Sequence, residues 1–116
     1  MLNTEQIQAK IEQYQDHIED LVEQIRNAGR EAAEAEAEYE MEIAKERLRT
    51  RYEANEQGVK VTIPVIEDTA TVATYVLRRR ALIAKNNLST LREALGAAKT
   101  NIDSLRTLSA SSRSLP

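Results

Sequence analysis

The sequence has no cysteine, no tryptophan and no phenylalanine, and its 116 residues include only three glycines and two prolines. Without cysteine the chain can form neither disulfides nor thiolate metal sites, so we expect a reducing, cytoplasmic environment. Few glycines and prolines allow few turns, so the secondary-structure elements must be long. A compact core of large side chains is hard to build from this composition, whereas a narrow seam between helices needs less volume.

Catalytic signatures are also missing. His17 is the only histidine, and no glycine-rich phosphate loop, zinc-ligand spacing or nucleophile with a histidine partner is visible. We therefore predict a non-enzymatic protein with no catalytic residues, no metal and no cofactor. No run of residues approaches the roughly 18 apolar residues that a membrane span requires, so we predict no membrane association.

A heptad pattern dominates the first half of the chain and predicts a helix over about residues 4–56, with Thr4 as a start signal. Its seam is Ile7, Ile11, Tyr14, Ile18, Leu21, Ile25, Ala28, Ala32, Ala35 and Tyr39. After Tyr39 the strict register would place Glu42 and Glu46 on the seam. We interpret this as a stutter, with the apolar stripe carried on by Ile43, Leu48 and Tyr52.

The segment 57–68 interrupts the helical pattern. Gly58 can cap the first helix, and VKVTIPVI alternates apolar and polar residues as a strand does. Pro64 argues against a central strand. We predict a short extended connector. A short β element and an early helix start, with Pro64 as the first helical residue, are the alternatives.

A second helix is predicted over about residues 69–108, followed by a polar tail at 109–116. Its four-three seam is Leu77, Ala81, Ala84, Leu88, Leu91, Leu95, Ala98, Ile102 and Leu105. The predicted fold is all-α: one domain, 1–116, formed by a long antiparallel two-helix hairpin resembling a coiled coil. Because two such helices bury little, we expect a homo-oligomer. The expected oligomerisation residues are Ile7, Ile11, Tyr14, Ile18, Leu21, Ile25, Leu88, Leu91, Leu95, Ile102 and Leu105.

Charge is distributed unevenly. Residues 1–56 carry 7 basic and 15 acidic side chains, net −8, whereas residues 57–116 carry 9 basic and 4 acidic, net +5.

The heptad position that follows the seam on the second helix, position e, is basic six times. These candidate nucleic-acid-binding residues are Arg78, Lys85, Arg92, Lys99, Arg106 and Arg113. A regular line of cations suits a phosphate backbone and would bind it without reading bases.

Ion pairing within the protein is the competing explanation for this basic line. In a hairpin closed near residue 60, the acidic cluster 31–46 should lie near Arg78–Arg80, so that triple is assigned mostly to structure. The e positions of the first helix, such as Gln8 and Gln15, are mainly uncharged and offer few partners. Tyr75 lies off the seam and could stack on a base.

The stretch from Val65 to Arg113 resembles the final helix of small tailed-phage proteins, some of them grouped with UvsY-type recombination mediators. The resemblance covers roughly residues 60–113. It includes a Pro-containing connector and an "ID-(A/S)-L-R-(S/T)-L" block, here Ile102 to Leu108. It implies a helical, ring-like oligomer in the cytoplasm of a phage host. Such an oligomer binds single-stranded DNA and the single-strand-binding protein, and it loads a recombinase.

Two functions are therefore expected. The first is a recombination mediator or accessory that binds single-stranded DNA. The alternative is a structural or adaptor coiled-coil oligomer, such as a phage assembly factor or a prefoldin-like chaperone, with no nucleic-acid binding. The alternating VKVTIPVI segment is the best support for the alternative, because strands between paired helices can build a shared sheet.

Overall fold

A computed structural model describes the backbone of residues 2–114 and the side chains of residues 2–111. It contains three helices: α1 (Thr4–Glu56), α2 (Ile63–Ala73) and α3 (Tyr75–Ser114). No strand occurs within residues 2–114. The predicted all-helical class is confirmed, and α1 occupies the residues that the heptad pattern assigned to the first helix.

The N-terminus of α1 is closed by Asn3, not by Thr4. The Asn3 side-chain Oδ1 accepts from the Gln6 backbone N–H at 2.8 Å, and Gln6 Oε1 accepts from the Asn3 N–H at 2.9 Å. This reciprocal pair is a capping box, which satisfies two backbone donors that the first helical turn leaves free. Thr4 is therefore the first helical residue and not its cap.

The C-terminus of α1 ends in a Schellman motif around Gly58. The Val59 N–H donates to Ala54 O at 2.9 Å and the Gly58 N–H donates to Asn55 O at 3.2 Å. Gly58 has φ +67°, a left-handed conformation that glycine adopts without a side-chain penalty. The predicted role of Gly58 as a cap is confirmed.

The connector is shorter than the predicted 57–68, because α2 begins at Ile63 and leaves only residues 57–62 between the helices. Pro64 lies in the first turn of α2, where its missing N–H costs no helical hydrogen bond and its fixed φ suits the helix. The early helix start is thus the alternative that holds, although the first helical residue is Ile63 and not the predicted Pro64. The strand-like alternation of VKVTIPVI does not produce a strand. Residues 63–66 are helical instead, and Ile66 is buried against the rest of the chain.

The predicted single second helix is divided at Thr74 into α2 and α3. Thr74 is buried, and its Oγ1 donates to Ala70 O at 2.7 Å while its N–H donates to the same carbonyl at 3.1 Å. Such back-bonding by threonine bends helices.

At its other end α3 continues to Ser114, past the predicted end at 108. Residues 109–114 contain neither glycine nor proline to stop it, and Ser109 continues the half-buried face. The predicted polar tail is therefore helical as far as 114, and its last two residues lie outside the described ones.

The chain divides into two compact units. Unit 1 comprises Met1–Ala28 and Asn87–Pro116. Ile7, Ile11 and Leu21 from α1 are buried there together with Ala98 and Ile102 from α3. The two segments run antiparallel, since Ile11 lines a cleft with Ala110 and the later residue Ile18 lines one with Ile102.

Unit 2 comprises Gly29–Asn86. Ala35, Ile43 and Ala54 of α1 are buried in it, as are Ile66, Ala70 and Ala81 of the following helices. The ion pairs Glu38–Arg80 and Arg47–Glu67 show the same antiparallel order, as expected for a hairpin.

The stutter after Tyr39 is visible in the burial of α1, but the residues predicted to continue the stripe are partly wrong. Ile43 is buried, whereas Leu48 and Tyr52 are 65% and 66% exposed. At about 100° per residue, they lie roughly 140° and 180° around the helix from Ile43. The buried face continues through Thr50 and Ala54 instead.

Candidate nucleic-acid interface

Three of the predicted basic positions, Arg92, Lys99 and Arg106, lie on α3 within unit 1, and all three are exposed. Among the side chains described, no ion pair or hydrogen bond engages Arg92 or Lys99. Arg106 Nη1 lies 3.9 Å from Asp103 Oδ1, one turn earlier on the same helix. An exposed pair at that distance contributes little, so all three cations are accessible to an anionic ligand.

In one of the two clefts that Arg106 lines, the α1 side chains are uncharged. Gln8 and Gln15 line an open cleft with Arg106, Ser109 and Ala110. These are e positions of the first helix, as the antiparallel register predicted. Neutral amides at this place cannot neutralise the arginine, which leaves its charge available.

A larger open cleft of about 540 Å³ borders the basic line on the same unit. Lys99 and Arg106 line it, but so do Glu19 and Asp103, together with Gln15, Ile18 and Ile102. The mixed charge and the open form do not suit an enclosed anionic ligand. The exposed flank of α3, and not this cleft, is the part suited to a polyanion.

In unit 2, Arg78 and Lys85 are also exposed, and no ion pair among the described side chains engages them. Arg80 does pair with Glu38, with Nη1 3.2 Å from Oε2. The predicted approach of the acidic cluster is therefore confirmed at Arg80. The prediction that this triple serves mainly in ion pairing within the protein is wrong for Arg78 and Arg79. Neither side chain forms an ion pair within residues 2–111.

The remaining candidates are placed as follows. The side chain of Arg113 lies outside the described residues. Tyr75 is exposed and could stack on a base, whereas Tyr14 and Tyr39 are half-buried, in keeping with their predicted seam positions. His17 is exposed.

All of the predicted oligomerisation residues lie in unit 1, in the seam between α1 and α3. Four are buried within the single chain, namely Ile7, Ile11, Leu21 and Ile102. Seven are half-buried, namely Tyr14, Ile18, Ile25, Leu88, Leu91, Leu95 and Leu105. The intrachain seam thus covers much of their surface, and oligomerisation through them stays a prediction.

Sequence reasoning missed an exposed aliphatic set in unit 2, formed by Val65, Val72, Val76 and Ile83. A signal for it was present, because these residues follow a second four-three spacing on a different side of the helix from the seam. The stronger seam pattern concealed it.

Across the described residues, no group of three or more His, Cys, Asp or Glu side chains is arranged to hold a metal ion. No helix in the described part of the chain is long and apolar enough to cross a bilayer. Comparison with known proteins finds no matching family model, no matching curated protein and no matching solved structure.

Proposed function

We propose that this chain is a non-enzymatic phage recombination mediator or accessory that binds single-stranded DNA without sequence preference and helps to load a recombinase. One observation carries the proposal. Arg92 and Lys99 are exposed cations one heptad apart on α3, and no ion pair in the described part of the chain neutralises either of them. Cations held without internal partners favour an external anion.

A polymeric phosphate is the anion that this spacing suits best. Residues seven apart on a helix are separated by about 10 Å along its axis, so successive cations meet successive parts of a long polyanion. Such contacts neutralise phosphates and carry no base specificity. In unit 2, the exposed ring of Tyr75 is a separate surface on which an unpaired base can stack, a contact typical of single-strand binding.

The recombination context rests on the resemblance of residues 60–113 to UvsY-type mediators. In that family, DNA binding is combined with an oligomer and with contacts to a recombinase and to single-strand-binding protein. By this proposal the chain works as a homo-oligomer, and those two proteins are its candidate partners in the cytoplasm of the host cell.

Fluorescence anisotropy of a labelled oligo-dT, titrated with the protein at increasing salt, tests the proposal. We expect binding at about 50 mM salt that weakens steeply towards about 200 mM, because cation–phosphate contacts release counterions. Absence of binding at the lower salt would rule out the DNA-binding function.

A pair of double variants locates the interface. Arg92→Glu with Lys99→Glu should abolish oligo-dT binding, because both changes place repulsive charge on the basic line. Lys10→Glu with Arg30→Glu changes the net charge equally at exposed α1 residues without ion pairs among the described side chains, and it should retain binding. Circular dichroism of both variants checks that the helices persist. Equal loss in both would show a general charge effect and contradict the assigned surface.

A structural or adaptor coiled-coil oligomer remains the second candidate. Its earlier support, a strand in the connector, is lost because residues 63–66 begin α2. The exposed aliphatic side chains of unit 2 favour it instead. This alternative predicts no oligo-dT binding at any salt concentration and a protein partner recovered by pull-down.

A further inference from the structure

A second heptad stripe, here called the outer stripe, runs along α2 and the first turns of α3. Its positions alternate in steps of four and three: Val65, Thr69, Val72, Val76, Arg79 and Ile83. At about 100° per residue, Val65 and Val72 lie roughly 100° and 120° around α2 from the buried Ile66. On α3, Val76 and Ile83 lie roughly 140° and 160° around the helix, in the same direction, from the buried Ala81. Val72 and Val76 are 78% and 73% exposed, and Val65 and Ile83 are about half exposed. Aliphatic residues in this spacing are typical of a helix that packs against another helix.

The outer stripe is symmetrical about Thr74. Val72 and Val76 lie two residues to either side of it, and Val65 and Ile83 lie nine residues to either side. Two antiparallel copies related by a twofold axis at this point would place Val72 opposite Val76 of the partner subunit. They would also place Val65 opposite Ile83 of the partner subunit. Every aliphatic residue of the stripe then meets another, which is the self-complementarity that a twofold interface requires.

The charges beside the outer stripe fit the same arrangement. Asp68 lies six residues before Thr74 and Arg79 lies five after it, and both fall on the same side of the stripe. In an antiparallel pair, equivalent sides face each other, so Asp68 faces Arg79 of the partner subunit, twice by symmetry. Both side chains are exposed, and neither forms an ion pair among residues 2–111.

Their sequence neighbours behave differently. Glu67 pairs with Arg47 and Arg80 pairs with Glu38, both within unit 2. Glu67 and Arg80 are therefore already paired within the chain, whereas Asp68 and Arg79 are available to pair with a second copy. A parallel pairing is disfavoured, because it would set Arg79 against Arg79 of the partner subunit.

We propose that the outer stripe is a homodimer interface in which two copies pair antiparallel about Thr74. The stripe is short, because the polar residues Thr62 and Asn86 occupy its next positions at the two ends. Its area is therefore at the low end of specific interfaces, and the dimer is a weak one that forms as protein concentration rises. This interface is separate from the seam of unit 1 and does not depend on DNA binding.

Sedimentation velocity over a range of protein concentrations tests the dimer. The average mass of the wild-type protein should rise with concentration from that of a monomer towards that of a dimer. Val76→Glu should keep it at the monomer value over the same range, because it buries a charge at the centre of the contact. Leu48→Glu is the matched control, since Leu48 is 65% exposed in the same unit but lies outside the stripe, and it should leave the mass unchanged. A wild-type protein that is monomeric at all concentrations, or a Val76→Glu variant of unchanged mass, overturns the proposal.

A charge exchange tests the predicted contact directly. Asp68→Arg alone and Arg79→Asp alone should each weaken the dimer, because each sets like charges against each other. The double variant should restore it. Failure of the double variant to restore any of the lost association contradicts the assigned pairing.

Cysteine cross-linking tests the orientation, because the natural chain has no cysteine. A mixture of Val65→Cys and Ile83→Cys chains should form a mixed disulfide on oxidation. Neither variant alone should cross-link, because equivalent residues are about 27 Å apart along the helix axis in this arrangement, far beyond disulfide reach. A self-cross-link by Val65→Cys, or no mixed disulfide, overturns the antiparallel dimer.

Discussion

Arg47 donates two hydrogen bonds to a single oxygen of Glu67, from Nε at 3.2 Å and from Nη2 at 2.9 Å. This pair links α1 to the first turns of α2, across the connector that joins them. The two side chains are 39% and 45% exposed, so solvent screens part of their attraction. The pair therefore contributes modestly to holding the start of α2 against α1.

Glu67→Gln should lower the free energy of unfolding by about 0.2–1 kcal/mol, the range for a partly exposed ion pair. The loss should shrink as salt is raised, because ions screen the wild-type pair. Urea unfolding followed by circular dichroism measures both effects. Glu53→Gln, at an exposed position on α1 without an ion pair in the described residues, should change stability little. An equal loss in both variants would show that the pair contributes nothing specific.

Gly58→Ala should destabilise the protein by about 1 kcal/mol, because a side chain at φ +67° is strained although no neighbouring atom blocks it. Gly96→Ala provides the matched control. Gly96 lies inside α3, and apart from its chain neighbours and its own helix backbone no heavy atom lies within 4 Å of the added Cβ, so alanine should stabilise the helix by about 0.5–1 kcal/mol. The midpoint temperatures of thermal unfolding of the two variants should therefore shift in opposite directions. A shift in the same direction would contradict the role of Gly58 in the helix cap.

Ile102→Ala should cost about 2–5 kcal/mol, because it removes a buried side chain from the small core of unit 1. Leu108→Ala, at a half-exposed position on the same helix, should cost much less. Denaturant titration of both variants measures the difference. Equal losses of unfolding free energy in the two variants would contradict the burial of Ile102 in the seam of unit 1.

The salt dependence of oligo-dT binding should show the contribution of each cation separately. Each neutralised phosphate contact contributes about 0.7 to the slope of log affinity against log salt for a single strand. Arg92→Gln and Lys99→Gln should therefore each reduce the slope by about 0.7, and the double variant by about twice that. A Lys10→Gln control should leave the slope unchanged. Unaltered slopes in the first two variants would place the DNA elsewhere.

The sequence by itself determined the helices and the end of the first one. The four-three repeats of α1 and α3 admit only helices, and Gly58 supplies the left-handed residue that a Schellman cap needs. The e-position register also followed from sequence, because antiparallel heptads set Gln15 beside Arg106.

Only the tertiary structure decided where α2 begins and which cations are paired. Pro64 is compatible with both an extended connector and a first helical turn, and the burial of Ile66 against the chain favours the second. After Tyr39, the face of α1 that is buried depends on which helix packs against it. Leu48 and Tyr52 lie outside that face and are exposed. Likewise Arg80 is paired and Arg79 is not, because that outcome depends on the position of Glu38 across unit 2 and not on the basic triple itself.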